Sequence, residues 1–266
     1  MHRFTGGAVT VPRLSNSNLP TDAAIARPAM VSLTFDDGLR CQFDKAIPIL
    51  DRHWIPATFF LIANQDPTHD RWSGHTNDWW KIDWREDDVA MLKNVIESGH
   101  EIGSHSVTHH PDRMATQPDV ETREAKHLIE SWLGTAVSSF CYPFYRSHAY
   151  LANAVRNAGY EQARGGGIAP FYEPRSSFYP LSANSGFDKF NIDCRQISNH
   201  ESVQEWLRPG SWHVLTFHGI GDSRDGWEPI PVEEFERQVA EVARYRDSGD
   251  TQVVTFKEGV RRMALT

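Results

Sequence analysis

The chain is short of cysteine, of long apolar runs and of clustered positive charge, and each shortage removes a class of function. Three cysteines, Cys41, Cys141 and Cys194, occur among 266 residues. Thiols so few and so widely spaced build neither a disulfide framework nor a Cys-x-x-Cys metal site. Cys141, inside an apolar run, reads as a small buried residue. No stretch approaches the roughly 20 consecutive apolar residues of a membrane-spanning helix. Residues 1–28, rich in Pro, Ser, Asn and Ala, lack the apolar heart of a secretory signal. They read as an N-terminal arm in front of a single domain over 29–266. The expected compartment is the cytoplasm, or the outside for a mature or trimmed exported form. No block of Lys and Arg interrupts a net charge of −8, so nucleic acid and anionic membranes find no electrostatic partner here.

What is present suits a soluble α/β domain. Hydrophobic residues make up 39% of the chain, enough for a sizeable core at a length near that of one α/β barrel. Strand candidates are Val31–Phe35, Ala57–Ile62, His100–Ser104, Ser139–Tyr142, Phe190–Ile197, Val214–Phe217 and Gln252–Phe256. Helical patterns fall between them, around Cys41–His53, Asp87–Ser98, Asp119–Leu133, Ala149–Ala158 and Val232–Arg246. Short apolar strands alternating with longer amphipathic segments predict βα units and a parallel sheet, with about seven strands, either closed or open.

Three polar constellations end strand candidates, where parallel α/β folds place their sites. Thr34-Phe-Asp36-Asp37-Gly38 sets two carboxylates after an apolar run, which is costly unless a cation or hydrogen bonds compensate them. His105-Ser-Val-Thr-His109 spaces two imidazoles so that, on a helical turn, both reach one ion. Val214-Leu-Thr-Phe-His218-Gly219 puts a histidine at a strand end, where it can act as acid or base. Singly, each has an ordinary reading: a turn, a coincidence among 13 histidines, a strand-end histidine with a satisfied hydrogen bond. Together they supply two imidazole ligands, a carboxylate ligand, a spare carboxylate and a free histidine, the equipment of metal-assisted hydrolysis. The residues alone do not say which aspartate is ligand and which is base.

TFDDG, SHSVTH and LTFHG, in this order, resemble the polysaccharide deacetylase family (carbohydrate esterase family 4, the nodulation-factor deacetylase homology domain) over about residues 30–260. The resemblance implies a distorted (β/α) barrel. It implies Asp37, His105 and His109 as ligands of one divalent metal, zinc in the first place with cobalt or nickel as substitutes. It makes Asp36 the base that deprotonates a metal-activated water attacking an acetyl carbonyl, and His218 the acid that protonates the leaving group. The implied substrate is an N- or O-acetylated oligo- or polysaccharide.

One family motif departs. The family pattern Arg-x-Pro-Tyr is here Cys141-Tyr142-Pro143-Phe144. The backbone N–H of Phe144 can still serve as oxyanion donor, since an amide does not depend on its side chain. The arginine that orients the base is missing; Arg146 and Arg164 are the candidates to replace it, and Arg164, followed by glycines, is preferred. The family's acidic motif, which tunes the acid histidine, has only Asp188 and Asp193 as weak matches. Trp79 and Trp80, in a Trp-rich stretch after the second strand, are substrate candidates together with Tyr142, while Trp84 reads equally as core. His100 and His110 read as solvated or capping residues, and His69 and His75 as solvated.

Two rival readings follow. One is a related amidohydrolase opening a small cyclic amide such as allantoin; the other is a module that keeps fold and metal without turnover.

Overall fold

The structure, a computed structural model, describes residues 27–63, 81–166, 178–181, 187–197 and 202–265. The expected arm and the Trp79–Trp80 pair lie outside the described residues. In chain order the elements are β1 (Ala29–Phe35), a π-turn (Gln42–Ala46), α1 (Ile47–Arg52), β2 (Ala57–Leu61), α2 (Glu86–Glu97), β3 (Glu101–Ser104), α3 (Pro111–Thr116), α4 (Pro118–Leu133), β4 (Ser139–Arg146) and α5 (Ala149–Asn157). Then come β5 (Gln162–Gly166), β6 (Phe178–Pro180), β7 (Arg195–Gln196), β8 (Ser211–Phe217), α6 (Val232–Asp247), β9 (Thr251–Val253) and α7 (Phe256–Met263).

Parallel pairing runs β5-β4-β3-β2-β1-β8, with β7 also parallel to β8. The segment before β7 reaches back to β5: Gly165 N–H donates to Ile192 O at 2.9 Å and Ile192 N–H to Ala163 O at 3.1 Å. Seven parallel strands thus curl into a distorted barrel, as expected. β6 adds an antiparallel partner to β8, and β9 pairs with β1.

Strand alternation sorts the side chains into two cores. Val31, Leu33 and Phe35 of β1 face the helices, where Phe35 stacks on Phe59 at 4.8 Å and on Phe217 at 5.2 Å and meets Phe235 of α6 edge-on. Met30 of β1, Phe60 of β2, Cys141 of β4 and Trp212 and Val214 of β8 face the other way and fill the interior with Phe256, Val260 and Met263 of α7. Burying a ring such as Phe35 contributes about 1.5–3 kcal/mol. α6 presents Phe235, Val239, Val242 and Ala243 at helical spacing to the sheet, with Glu233 and Glu234 in its first turn and Arg244 and Arg246 in its last, matching the helix dipole.

Four elements differ from the sequence reading. Phe190–Ile197 is not one strand: only Arg195–Gln196 pairs as β7, and Ile192 forms an isolated bridge to Arg164. Gln252–Phe256 is not one strand: Thr255 caps α7 by accepting from Glu258 N–H, so Phe256 opens a helix. The His105–His109 segment is not a helical turn but a loop, and the helix after it starts only at Pro111. β5, whose sequence is QARGG, carries too few apolar residues to read as a strand and is held by its neighbours instead.

Candidate active site

Alternation explains how β1 aims its two carboxylates. Ser32, Thr34 and Asp36 share the inward parity, so Asp36 points into the barrel mouth and is almost fully buried. Asp37 then adopts a left-handed conformation (φ 75°), followed by Gly38 at φ 67°. This turn, which aspartate and glycine tolerate better than other residues, swings the second carboxylate to a separate position.

Asp36 is held from the opposite side of the barrel. The Arg164 guanidinium, fully buried on β5, donates through Nη2 to both Asp36 oxygens. Its Nη1 donates to Thr216 Oγ1 at 2.6 Å, its faces lie over Phe60 and Tyr145, and it contacts the Cys141 and Cys194 sulfurs at 2.8 and 2.7 Å. Cys141 is the direct cross-strand partner of Arg164 in the β4–β5 register. Burial pushes the Asp36 carboxyl up, but Arg164, then His105 and His218, outweigh it and leave the group below its ordinary value. Arg146, the other candidate, is exposed and lies over the Phe144 ring, away from Asp36.

Asp37 meets the two histidines. Its Oδ1 is 3.5 Å from His105 Nε2 and 3.7 Å from His109 Nε2. His105 Nδ1 lies 2.9 Å from the Cys141 carbonyl, which can only accept, so that nitrogen carries the proton and Nε2 keeps its lone pair toward Asp37. Burial drives both imidazoles toward neutrality, His109 to about 3 with further help from His105. For Asp37, burial raises the carboxyl, but the neighbouring histidines and Lys81 more than reverse this and hold it far below the carboxylate range. One ionised carboxylate and two neutral imidazoles, with ligand atoms within 4.8 Å of one another, are the donors and protonation states a divalent N/O-ligated ion requires. A second grouping, Asp36 with His105 and Cys141, has the Arg164 cation in its midst and is the poorer cradle.

His218 continues the inward parity of β8 and brings Nε2 to 3.8 Å from Asp36 Oδ2. Its ring is edge-on to Trp227 at 5.0 Å and to Tyr145 at 6.4 Å, and its buried Nδ1 has no hydrogen-bond partner among the described residues. Asp188 caps Phe190 N–H and lies 3.8 Å from Arg156, while Asp193 donates its backbone N–H toward Tyr179. Phe144 and Tyr145 both have positive φ, 56° and 57°, and the Phe144 ring lies 4.5 Å from that of His109. Backbone strain of this kind concentrates where a site must be preset.

Sequence expectations need correction at Tyr142 and His100, while Trp84 and Cys141 take one of the readings the sequence allowed. Tyr142 has the outward parity opposite to Cys141; it is fully buried, with its hydroxyl donating to Phe190 O, and cannot touch substrate. Trp84 is core, donating to Ile62 O and stacked on Trp132 at 4.4 Å. His100 is buried rather than solvated, accepting from Ala57 N–H and bridging to Asp51. Cys141 is buried as expected, but against the Asp36–Arg164 pair rather than in plain apolar packing. Two residues were missed. Gln42 donates to the carbonyls of both Asp36 (2.6 Å) and His218 (3.0 Å) from the π-turn, and Trp227 packs on His218. Neither has a spacing signal; only Gly219, where a Cβ would come within 2.9 Å of Asp225 O, hints that the 225–229 loop folds back onto the site.

Comparison with known proteins fits this geometry. The family model described as polysaccharide deacetylase matches residues 24–163, just over half the chain. The chain belongs to the polysaccharide deacetylase family. It is 28% identical over 116 residues to a chitooligosaccharide deacetylase of Rhizobium leguminosarum bv. trifolii, covering 43% of this chain and 45% of that one. It is 31% identical over 124 residues to a chitooligosaccharide deacetylase of Sinorhizobium fredii, covering 45% and 44%. The matches thus span less than half the length of these curated relatives. Among solved structures it shares its fold with a family 4 acetyl xylan esterase from Clostridium thermocellum in complex with a cobalt ion (TM-score 0.52, 18% identity, 86% of this chain and 89% of that one). It shares it also with the peptidoglycan deacetylase PdaC from Bacillus subtilis (TM-score 0.53, 14% identity, 90% and 93%).

Proposed function

We propose that this family member is a metal-dependent deacetylase that removes acetyl groups from an N- or O-acetylated carbohydrate. The observation that carries the reading is the pairing of two preset centres side by side: Asp37 with His105 and His109, and Asp36 between Arg164 and His218. Asp37, His105 and His109 would hold one divalent ion, zinc, cobalt or nickel, which would supply Lewis acidity and lower the pKa of water. Asp36, kept ionised, accepts a proton from the attacking water as its oxygen bonds the acetyl carbon. We assign the Phe144 backbone N–H as a donor to the oxyanion that forms. His218 donates a proton to the leaving nitrogen or oxygen as its bond to the acetyl carbon breaks, and acetate leaves. Arg164 positions Asp36 without touching substrate. Trp79 and Trp80 remain candidates for stacking on sugar rings.

The names of the two rhizobial relatives favour a glycan over a small cyclic amide. Acetate release from acetylated chitooligosaccharide, peptidoglycan, acetylxylan and an exopolysaccharide, set beside ureido-acid formation from allantoin, tests this. Acetate from at least one glycan is the expected result. Turnover of allantoin alone would reject the proposal, and turnover of neither would favour a binding module.

A further inference from the structure

The two-histidine loop is fastened unevenly. Its first half is tied to the sheet: His105 N–H donates to Leu61 O at 2.8 Å, and Ser106 O accepts from Ala63 N–H at 3.0 Å. Among the described residues, no strand is hydrogen-bonded to its second half. His109 and Ser106 both sit in the left-handed region, at φ 54° and 71°, which side-chain-bearing residues hold only when their surroundings impose it. One local bond, His109 N–H to Ser106 Oγ at 2.9 Å, links the two strained positions.

A further anchor among the described residues is Glu121, in the first turn of α4. Its carboxylate is completely buried. One oxygen accepts from Thr108 N–H at 2.9 Å, and the other accepts from Thr108 Oγ1 at 2.9 Å and pairs with Arg113 Nε at 2.9 Å. Its own backbone carbonyl accepts from Val107 N–H at 3.2 Å. A buried carboxylate is costly unless such donors replace its water. Three of the four contacts fall on Val107 and Thr108, inside the span that separates the histidines.

We propose that Glu121 is a positioning residue that presets the spacing of His105 and His109, so that both Nε2 atoms face Asp37 before any ion arrives. The proposal rests on the reading of Asp37, His105 and His109 as a ligand set. Glu121 reaches no ligand atom; it fixes the backbone between them. A support of this kind acts on metal affinity, and losing it costs about 10–100-fold.

The test measures zinc dissociation constants by competition with a chromophoric chelator, and the visible spectrum of the cobalt-loaded protein. Wild type, Glu121→Gln, Thr108→Val and Glu101→Gln are compared, each checked for native fold by circular dichroism. Glu101 supplies the control because it is also a hydrogen-bonded carboxylate, at the opposite end of the barrel, receiving Thr58 Oγ1, Ser139 Oγ and Lys257 N–H. Glu121→Gln should weaken zinc binding about 10–100-fold and alter the cobalt spectrum. Thr108→Val, which keeps the N–H and loses only the hydroxyl, should move both readouts the same way by less. Glu101→Gln should lower thermal stability and leave both unchanged. If Glu121→Gln lowers stability as Glu101→Gln does but keeps wild-type affinity and spectrum, Glu121 is a structural buttress and the proposal is overturned. Should Glu121→Gln not fold, wild-type affinity in Thr108→Val overturns it instead. Failure of the underlying ligand set has a different signature: wild type itself would bind no stoichiometric zinc.

Discussion

Asp36 and Asp37 are adjacent in the chain, yet they anchor two centres built in different ways. The Asp37 centre is local. Its histidines lie four residues apart on one loop, its distances are 3.5 and 3.7 Å, and its donors are neutral apart from the carboxylate. The Asp36 centre is assembled across the barrel, from β1, β5 and the end of β8, around a guanidinium buried between two aromatic rings. One centre gathers the donors that we propose hold a cation, and the other already contains a guanidinium. A single left-handed residue at Asp37 is what lets neighbouring carboxylates serve both purposes.

Breaking the local centre should have the largest effect. Asp37→Ala, His105→Ala and His109→Ala should each abolish stoichiometric zinc binding and activity together, read by metal analysis and acetate release. His110→Ala, outside the triad, should retain its metal. Breaking the assembled centre should separate the two readouts. Asp36→Asn should keep the metal and lose about 10²–10⁴-fold in turnover, the range of a missing general base.

The next effect tests whether Arg164 has taken over from a residue one strand away. Arg164→Ala leaves Asp36 buried without its cation, which costs about 3–5 kcal/mol of stability. Because Arg164 lowers the Asp36 pKa, its removal should move the acidic limb of the pH–rate profile to higher pH. Arg164→Lys should recover only part of the rate, since an ammonium cannot make the planar two-pronged contact. Cys141 faces Arg164 across the β4–β5 pair. Cys141→Arg added to Arg164→Ala should therefore restore part of the activity, whereas Cys141→Arg alone crowds a filled interior and should destabilise the protein. No shift of the acidic limb in Arg164→Ala would break the comparison.

Much of this was legible in the chain. Ser32, Thr34 and Asp36 alternate with Val31, Leu33 and Phe35, which predicts an inward Asp36 from parity alone. Trp212, Val214, Thr216 and His218 do the same on β8. The interaction between Asp36 and Arg164 was harder to read because the residues are 128 positions apart and β5 lacks an apolar pattern. Tyr142 was misread for want of the same parity argument, since Cys141 and Tyr142 must face opposite sides. Gln42 acts through carbonyls that any sequence possesses, so no motif announces it.

The smallest effect concerns the scaffold. Burial drives His213 down to about 4 while it accepts Arg208 N–H at 3.1 Å. Above the ordinary histidine value near 6.5 both folded and unfolded chains are neutral there, so no penalty exists. Below it only the unfolded chain takes the proton, so stability should fall as pH drops from about 6.5 to about 4, and this contribution should then level off. Melting temperatures across that range should decline less steeply for His213→Gln than for wild type.

The most direct test of the central claim is a zinc titration of metal-stripped protein, with acetate release from an accepted glycan and bound zinc measured on the same samples. Activity should be absent at the start, rise in proportion to bound zinc and reach its plateau at one ion per chain. Full activity in the stripped protein, or an unchanged titration when His105 and His109 are both replaced by alanine, would contradict the account.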